Sequence, residues 1–377
     1  MKITLIIATL SCGGAERVLS NMANYWASRG RTVRILTFDD GGVAPFYDLH
    51  SSIELCPLNI ASHSSNIFAT IRKSLKRLKI LRQAIIASDP DIVISFLTNE
   101  NVYTLLATRF LGYPVVISER VDIRHHSEDL RWSIMRKLIY PAAETVVVQT
   151  SALRHWMEKT LRGVSVVTIP NPVVKEVGAK LKDTIVPNPY VLAVGRLINT
   201  QKGFDQLLAA FAELHNEYQD LKLVIAGEGP DKGALLNLSR ELGIEDKVIM
   251  PGAIRNIGSL QENAALFVMS SLYEGFPNAL CEAMASGVAV ISYDCPSGPA
   301  EIIRDGIDGI LVPVGDVDGL SKAMRNLMSN SSKRASMASR AAEIMDRFSA
   351  ELIMDRWEAL IRQAMERKRK AILRSGC

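Results

Sequence analysis

Short runs of mainly branched apolar residues, with no polar alternation, recur along this chain between longer stretches of helical character. Ile3 to Leu10, Thr32 to Thr37, Ile92 to Phe96, Val115 to Ser118, Glu144 to Thr150 and Val164 to Ile169 form one series. Tyr190 to Val194, Leu221 to Ala226, Val248 to Met250, Ala265 to Met269, Ala289 to Tyr293 and Gly309 to Val312 form a second. A strand without a polar face is covered on both sides, as in a parallel sheet wrapped by helices. Alternation of such strands with helices predicts α/β architecture built from repeated β-α-β units. Pro170-Asn171-Pro172 and Pro187-Asn188-Pro189 bracket a polar stretch, the natural linker between the series. The prediction is two doubly wound domains, at 1–172 and 188–345, with a cleft between them, followed by helix to about 374. The length of 377 residues also suits two domains better than one.

Composition removes several classes. Hydrophobic content of 48% with 22% charged residues is ordinary for a globular protein. A net charge of +4 and 6% aromatics give no electrostatic footprint or stacking surface for nucleic acid. The five cysteines, Cys12, Cys56, Cys281, Cys295 and Cys377, are scattered without metal spacing or a disulfide framework, so a reducing cytoplasm is expected. Ile3 to Leu10 superficially resembles a leader. The run is short, breaks into Gly13-Gly14-Ala15-Glu16-Arg17 and has no small-residue cleavage pattern. No apolar run approaches the 18 or so residues of a membrane span.

The stretch Tyr273-Glu274-Gly275-Phe276-Pro277-Asn278-Ala279-Leu280-Cys281-Glu282 carries the most chemistry. It reads as a loop entering a helix, with Pro277 in the first turn. The amides of Asn278, Ala279 and Leu280 then have no intrahelical partner and form an anion site. Glu282 lies about 7–8 Å along the axis, suited to ribose hydroxyls beside a diphosphate. Glu274, before the helix, can meet hydroxyls on the far side of the phosphates. The plain alternative is a helix start with two solvated glutamates. Upstream, Gly195-Arg196-Leu197 and Lys202-Gly203 supply two cations. Charge developing on a diphosphate leaving group is stabilised by such fixed positive groups; Arg grips two oxygens, Lys acts as a point charge. Taken alone, this loop would read as a capped turn.

In the first half, Gly13 and Gly14 follow the first strand and open a helix from about Ala15 to Ser28. The full G-x-G-x-x-G dinucleotide fingerprint is absent, which weakens a dehydrogenase reading. Gly14 instead allows close backbone approach to a ligand. From Ile67 to Ile86, Ile71, Leu75, Leu78, Leu81 and Ile85 recur at helical spacing, interleaved with Arg72, Lys73, Lys76, Arg77, Lys79 and Arg82 and no acid before Asp89. Two readings stand: a seat for an anionic membrane or phosphate-bearing lipid, or a core helix with a solvated basic face. Asp89-Pro90-Asp91 could hold a metal–diphosphate complex in isolation, but precedes a strand, away from the ligand edge. No metal is expected. Glu119 and Arg120 sit at a strand's carboxyl end, on the ligand edge. His125 and His126 follow in a loop, with no carboxylate partner to mark them as catalytic.

Together these pieces resemble glycosyltransferase family 4, a retaining group with the two-domain GT-B fold. The residues that carry the likeness are Gly13-Gly14-Ala15-Glu16, Gly195-Arg196-Leu197 with Lys202-Gly203, Gly227-Glu228-Gly229-Pro230, and Glu274 to Glu282, the family's two glutamates separated by seven residues. Pro296-Ser297-Gly298-Pro299-Ala300-Glu301 and Gly309-Ile310-Leu311-Val312 extend it. The resemblance implies two Rossmann-like domains and a last helix, about 350–374, crossing back onto the first. It implies that Arg196 and Lys202 hold the donor diphosphate, Glu282 the ribose and Glu274 the donor sugar. The amides of Asn278, Ala279 and Leu280 would meet the phosphates, and the Gly14 backbone the distal one. Retention of configuration and independence from metal or other cofactor come from the family alone.

Many members carry a His where this chain has Glu119, as does a subgroup that builds bacterial surface polysaccharides and lipid-linked oligosaccharides. That subgroup implies a UDP-linked hexose or N-acetylhexosamine donor (UDP-GalNAc, UDP-GlcNAc or UDP-Gal). It implies a polyprenyl-diphosphate-linked sugar acceptor, met by Glu119 and Arg120 with Arg72, Lys76 and Lys79 on its phosphates. The expected place is the cytoplasmic side of an anionic membrane. Whether Glu119 orients the acceptor or supports Arg120 stays open. Alternatives are a GDP-mannose-dependent mannosyltransferase, an epimerase or hydrolase on the same fold, and a non-enzymatic nucleotide sensor.

Overall fold

The computed structural model describes residues 1–61, 67–124, 130–175 and 188–375. The chain packs as two compact units, Met1–Pro172 with Glu351–Cys377, and Val173–Ala350. Each is built on one wholly parallel sheet.

In the first unit the strands are β1 (Lys2–Ile7), β2 (Thr32–Thr37), β3 (Glu54–Pro57), β4 (Ile92–Phe96), β5 (Val115–Ser118), β6 (Thr145–Val148) and β7 (Val166–Thr168). Their spatial order is β3-β2-β1-β4-β5-β6-β7. Leu5 at the centre of β1 pairs in register with Ile35 on one side and Ile94 on the other. Helices α1 (Gly14–Ser28), α2 (Ile67–Ser88), α3 (Thr98–Ala107), α4 (Leu130–Ile139) and α5 (Ser151–Thr160) run between strands. The chain leaves β1 toward β2 and β3, then returns to the opposite side at β4. The direction of winding therefore reverses between β1 and β4, the place where sheets of this kind bind ligands, beyond the strands' carboxyl ends.

The helix Ala350–Ser375 joins this unit through Ile353, Trp357, Leu360, Ile361 and Ala364, all buried at helical spacing. Arg367 donates to Thr145 Oγ1 at 3.2 Å, and Lys368 pairs with Glu144 at 3.7 Å.

In the second unit β8 (Tyr190–Val194), β9 (Lys222–Ala226), β10 (Val248–Gly252), β11 (Leu266–Met269), β12 (Val290–Tyr293) and β13 (Ile310–Val312) are ordered β10-β9-β8-β11-β12-β13. The winding reverses between β8 and β11. One face packs Leu207, Phe211, Leu235 and Met324; the other packs Phe276, Leu280, Met284 and Ile344.

β3 and α3 escape the sequence pattern for physical reasons. β3 is a short, half-exposed edge strand with no apolar run. α3 is buried almost all round, so it has no polar face to set a period. α4 was likewise not anticipated. Of the apolar residues at helical spacing on α2, Leu75 is 62% exposed, while Leu81 and Ile85 are fully covered. The linker residues 176–187 and the pair His125 and His126 lie outside the described residues.

The turn after β8 is nested against the turn after β9. Gly195 N–H donates to Ala226 C=O, and Leu197 N–H to Glu228 C=O. Gly227, at φ +151°, is so close that an added Cβ would stand 1.9 Å from the Gly195 oxygen. Backbone cannot give way as a flexible side chain can. Gly227→Ala is therefore expected to destabilise the second unit by about 2 kcal/mol or more. Urea unfolding followed on that unit should show it, and an unchanged midpoint would contradict the nesting.

Candidate active site

The carboxyl end of the second sheet gathers its charged side chains by backbone contacts. Gly195 leaves room for the Lys202 stem, whose Cε would lie 3.1 Å from a Cβ there. Gly203 takes a left-handed turn (φ +56°) against the Ser270 carbonyl. Leu272 N–H donates to Gln201 C=O at 2.8 Å, and Ser270 Oγ to Lys202 C=O at 2.9 Å. The loops leaving β8 and β11, at the winding reversal, are thus stitched together.

The stitching brings Lys202 Nζ to 2.5 Å from Glu274 Oε1. Ser271 Oγ donates to the same oxygen at 2.6 Å. Glu274 is buried, and no hydrogen bond to its Oε2 is formed by the described residues. One oxygen is fixed and the other is left to accept. Ser271 was missed at the sequence level, where a serine three residues before a glutamate carries no signal. Arg196 points outward, and its side chain makes no hydrogen bond or ion pair among the described residues.

The helix following Glu274 spans Asn278–Ala285, with Pro277 as its N-cap. This corrects the expectation that Pro277 lies inside the first turn: its ψ of 88° is not helical. Its first internal bond runs from Cys281 N–H to Pro277 C=O. The amides of Asn278, Ala279 and Leu280 therefore look out of the helix mouth, as required for an anion. Glu282 is buried, four residues on from Asn278 and so about 6 Å along the axis. Gly298, at φ +107°, lets the following turn lie on Pro277, and Ser297 Oγ donates to Gly275 C=O at 3.3 Å. Burial pushes the neighbouring Cys295 thiol up to about 12, so it is an inert filler.

The first unit holds a different set. Glu119 is wholly buried, not presented on an open edge. It accepts from Thr98 Oγ1 at 2.9 and 3.0 Å and from the Tyr140 hydroxyl, and pairs with Arg136 at 3.7 Å. Arg120 is also interior. Its guanidinium stacks 3.8 Å over Phe96 and 5.8 Å from Trp357, and donates to Asn171 Oδ1 at 2.5 Å. Both side chains, expected to meet an acceptor, are engaged with partners inside the unit. Gly13 is the N-cap of α1, and α1 itself begins at Gly14. Asp89 and Asp91 lie at the opposite edge of the sheet, bonded to Lys2.

On α2, Arg72, Lys76 and Lys79 are exposed as expected. Arg77 and Arg82 are not part of that face. Arg77 donates to Ile60 C=O and lies 4.7 Å over the Tyr103 ring, while Arg82 donates to the carbonyls of Ala107 and Arg109.

Sequence reading also missed Glu100, in the first turn of α3. It is only 7% exposed, and burial pushes its carboxyl up to about 7, with Arg77 opposing and Glu119 and Glu16 adding to the rise. No period or motif marks it.

Comparison with known proteins agrees with this geometry. The family described as Glycosyl transferases group 1 matches residues 181–344, and Glycosyltransferase Family 4 matches residues 12–177. The chain belongs to glycosyltransferase family 4. It is 29% identical, over 96% of its length and 98% of the relative's, to a Campylobacter jejuni GalNAc-alpha-(1->4)-GalNAc-alpha-(1->3)-diNAcBac-PP-undecaprenol alpha-1,4-N-acetyl-D-galactosaminyltransferase. A second enzyme of that organism, N-acetylgalactosamine-N,N'-diacetylbacillosaminyl-diphospho-undecaprenol 4-alpha-N-acetylgalactosaminyltransferase, is 27% identical, over 90% of this chain and 93% of the relative. Anabaena HepE in complex with UDP superposes with a TM-score of 0.77 at 18% identity, covering 96% of this chain and all of the other. The GT-B fold and glycosyltransferase activity follow.

Glu100 gives this glycosyltransferase a definite pH signature. A carboxyl whose folded pKa is raised from 4.5 to about 7 stabilises the fold fully below 4.5. That stability is lost as pH rises through about 7, because the folded state then holds more protons than the unfolded one. The amount at stake is on the order of 3 kcal/mol. Glu100→Gln should remove this part of the decline between pH 5 and 8 in chemical-denaturation curves. Parallel wild-type and variant profiles would contradict it.

Proposed function

We propose that this glycosyltransferase moves a hexose or N-acetylhexosamine from a UDP-sugar, with retention, onto a polyprenyl-diphosphate-linked sugar. The reading rests on Glu274, a buried carboxylate with one oxygen fixed by Lys202 and Ser271, close to an outward-facing helix mouth and an unpaired Arg196. Glu274 Oε2 accepts donor-sugar hydroxyls, Glu282 the ribose hydroxyls. The α- and β-phosphates take the amides of Asn278, Ala279 and Leu280. As the bond from the anomeric carbon to the β-phosphate oxygen breaks, its electron pair goes to the diphosphate. Arg196 and Lys202 stabilise that charge. The acceptor hydroxyl oxygen forms the new bond on the same face, and its proton goes to the departing phosphate oxygen. No metal or cofactor takes part in this scheme. The Campylobacter relatives' undecaprenol acceptors and the UDP in HepE support the choice of substrates.

Arg196→Ala is expected to lower kcat by about 100-fold or more, with UDP affinity falling less. Glu274→Gln should lose transfer while UDP still raises the melting temperature. UDP should protect more than GDP or ADP in the same assay; a GDP preference would move the assignment to a mannosyltransferase. Release of free sugar as the main product, with any acceptor present, would point to a hydrolase.

The acceptor's lipid calls for a membrane surface, and the first unit offers one. Leu75 on α2, Phe110 in the loop after α3, and Ile134 and Leu138 on α4 are exposed apolar side chains, Phe110 to 91%. Arg72, Lys76 and Lys79 on α2 and Lys137 on α4 are exposed too, and neither helix contains an acid. Arg82 ties the Phe110 loop to α2 through the Ala107 and Arg109 carbonyls. Among the described residues no helix is long and apolar enough to cross a membrane. Peripheral attachment to an anionic, cytoplasm-facing leaflet is the mode that fits. Neutralising Arg72, Lys76 and Lys79 together should weaken binding to phosphatidylglycerol vesicles on the order of 100-fold, at about 1 kcal/mol each. Donor binding should be spared. Equal loss of vesicle and donor binding would defeat the assignment.

A further inference from the structure

The first unit needs a side chain to meet the acceptor, and Glu119 is already saturated. The winding of the sheet identifies where to look. Its direction reverses between β1 and β4, so a ligand of this unit belongs at the carboxyl ends of those two strands. Glu100 stands there, in the first turn of α3, two residues beyond the start of the helix that follows β4.

The contrast with Glu119 is instructive. Glu119 has Thr98, Tyr140 and Arg136 around its carboxylate. Glu100 is nearly as deeply buried, yet among the described residues no other side chain hydrogen-bonds or ion-pairs with it; its own backbone N–H is its hydrogen-bond donor. A buried carboxyl left in this state is unfavourable, and a ligand that supplies donors relieves it. The helix N-terminus alone does not account for the group, because a favourable dipole would lower its pKa, whereas it is raised to about 7.

The charges facing Glu100 narrow the ligand. Glu16 of α1 and Glu119 after β5 repel an anion, and Arg77 of α2 repels a cation. A neutral donor, such as a sugar hydroxyl, meets neither penalty. We propose that Glu100 accepts a hydrogen bond from a hydroxyl of the acceptor sugar and so positions it in the first unit. This rests on the transferase reading above and assigns the acceptor contact to a residue other than Glu119.

The test is calorimetric titration with a farnesyl-diphosphate-linked N-acetylgalactosamine, on wild type, Glu100→Gln and Glu100→Ala, alongside UDP. Both variants are expected to bind the acceptor probe about tenfold or more weakly, with UDP affinity unchanged. Wild-type acceptor binding should tighten from pH 6 to pH 8 as the carboxylate forms, and Glu100→Gln should be flat over that range. A purely structural role would not produce this pH split. Equal acceptor affinity in wild type and Glu100→Gln overturns the Glu100 assignment and leaves the transferase standing. A wild type that binds UDP but no acceptor probe overturns the lipid-linked acceptor, and the Glu100 assignment with it.

Discussion

A parallel sheet covered on both faces has little room for a charged side chain along its strands. Every group that must meet a ligand is therefore pushed to the strand ends, where the backbone emerges into turns. Both units of this chain obey that constraint. In each, the turn residues at the winding reversal are the ones with chemistry: Arg196 and Ser271 to Glu274 in one, Gly13-Gly14 and Glu100 in the other.

What the turns do with those residues depends on close backbone packing. Gly227 against Gly195, and Gly203 against Ser270, bring loops from three strands within hydrogen-bonding distance. Only then can Lys202 and Ser271 share one oxygen of Glu274.

The two buried glutamates of the first unit show how environment separates like residues. Glu119 is surrounded by donors and belongs to the fold, linking β5 to α3 and Tyr140. Glu100 lies among mixed charges, without a side-chain donor among the described residues, and holds its proton to about neutrality. Position at a strand's carboxyl end drew attention to Glu119 in the sequence; in the structure Thr98, Tyr140 and Arg136 surround its carboxylate. Similarly, six cations on α2 read as one basic face, yet Arg77 and Arg82 turn inward to cap carbonyls and an aromatic ring.

The sequence by itself determined the two-sheet α/β plan, and it pointed to Arg196, Lys202, Glu274 and Glu282 as a candidate set. Those signals are local: hydrophobic runs, glycine-marked turns and a fixed spacing on one helix. Tertiary structure decided which oxygen of Glu274 is occupied, that Ser271 holds it, that Glu119 and Arg120 are interior, and that Leu75 is not. It also singled out Glu100, whose carboxyl is raised first by burial, with smaller effects from Arg77, Glu119 and Glu16. These three lie 23, 19 and 84 positions away along the chain. Desolvation and hydrogen-bond completeness are set by neighbours brought together in space, and no local pattern in a chain records them.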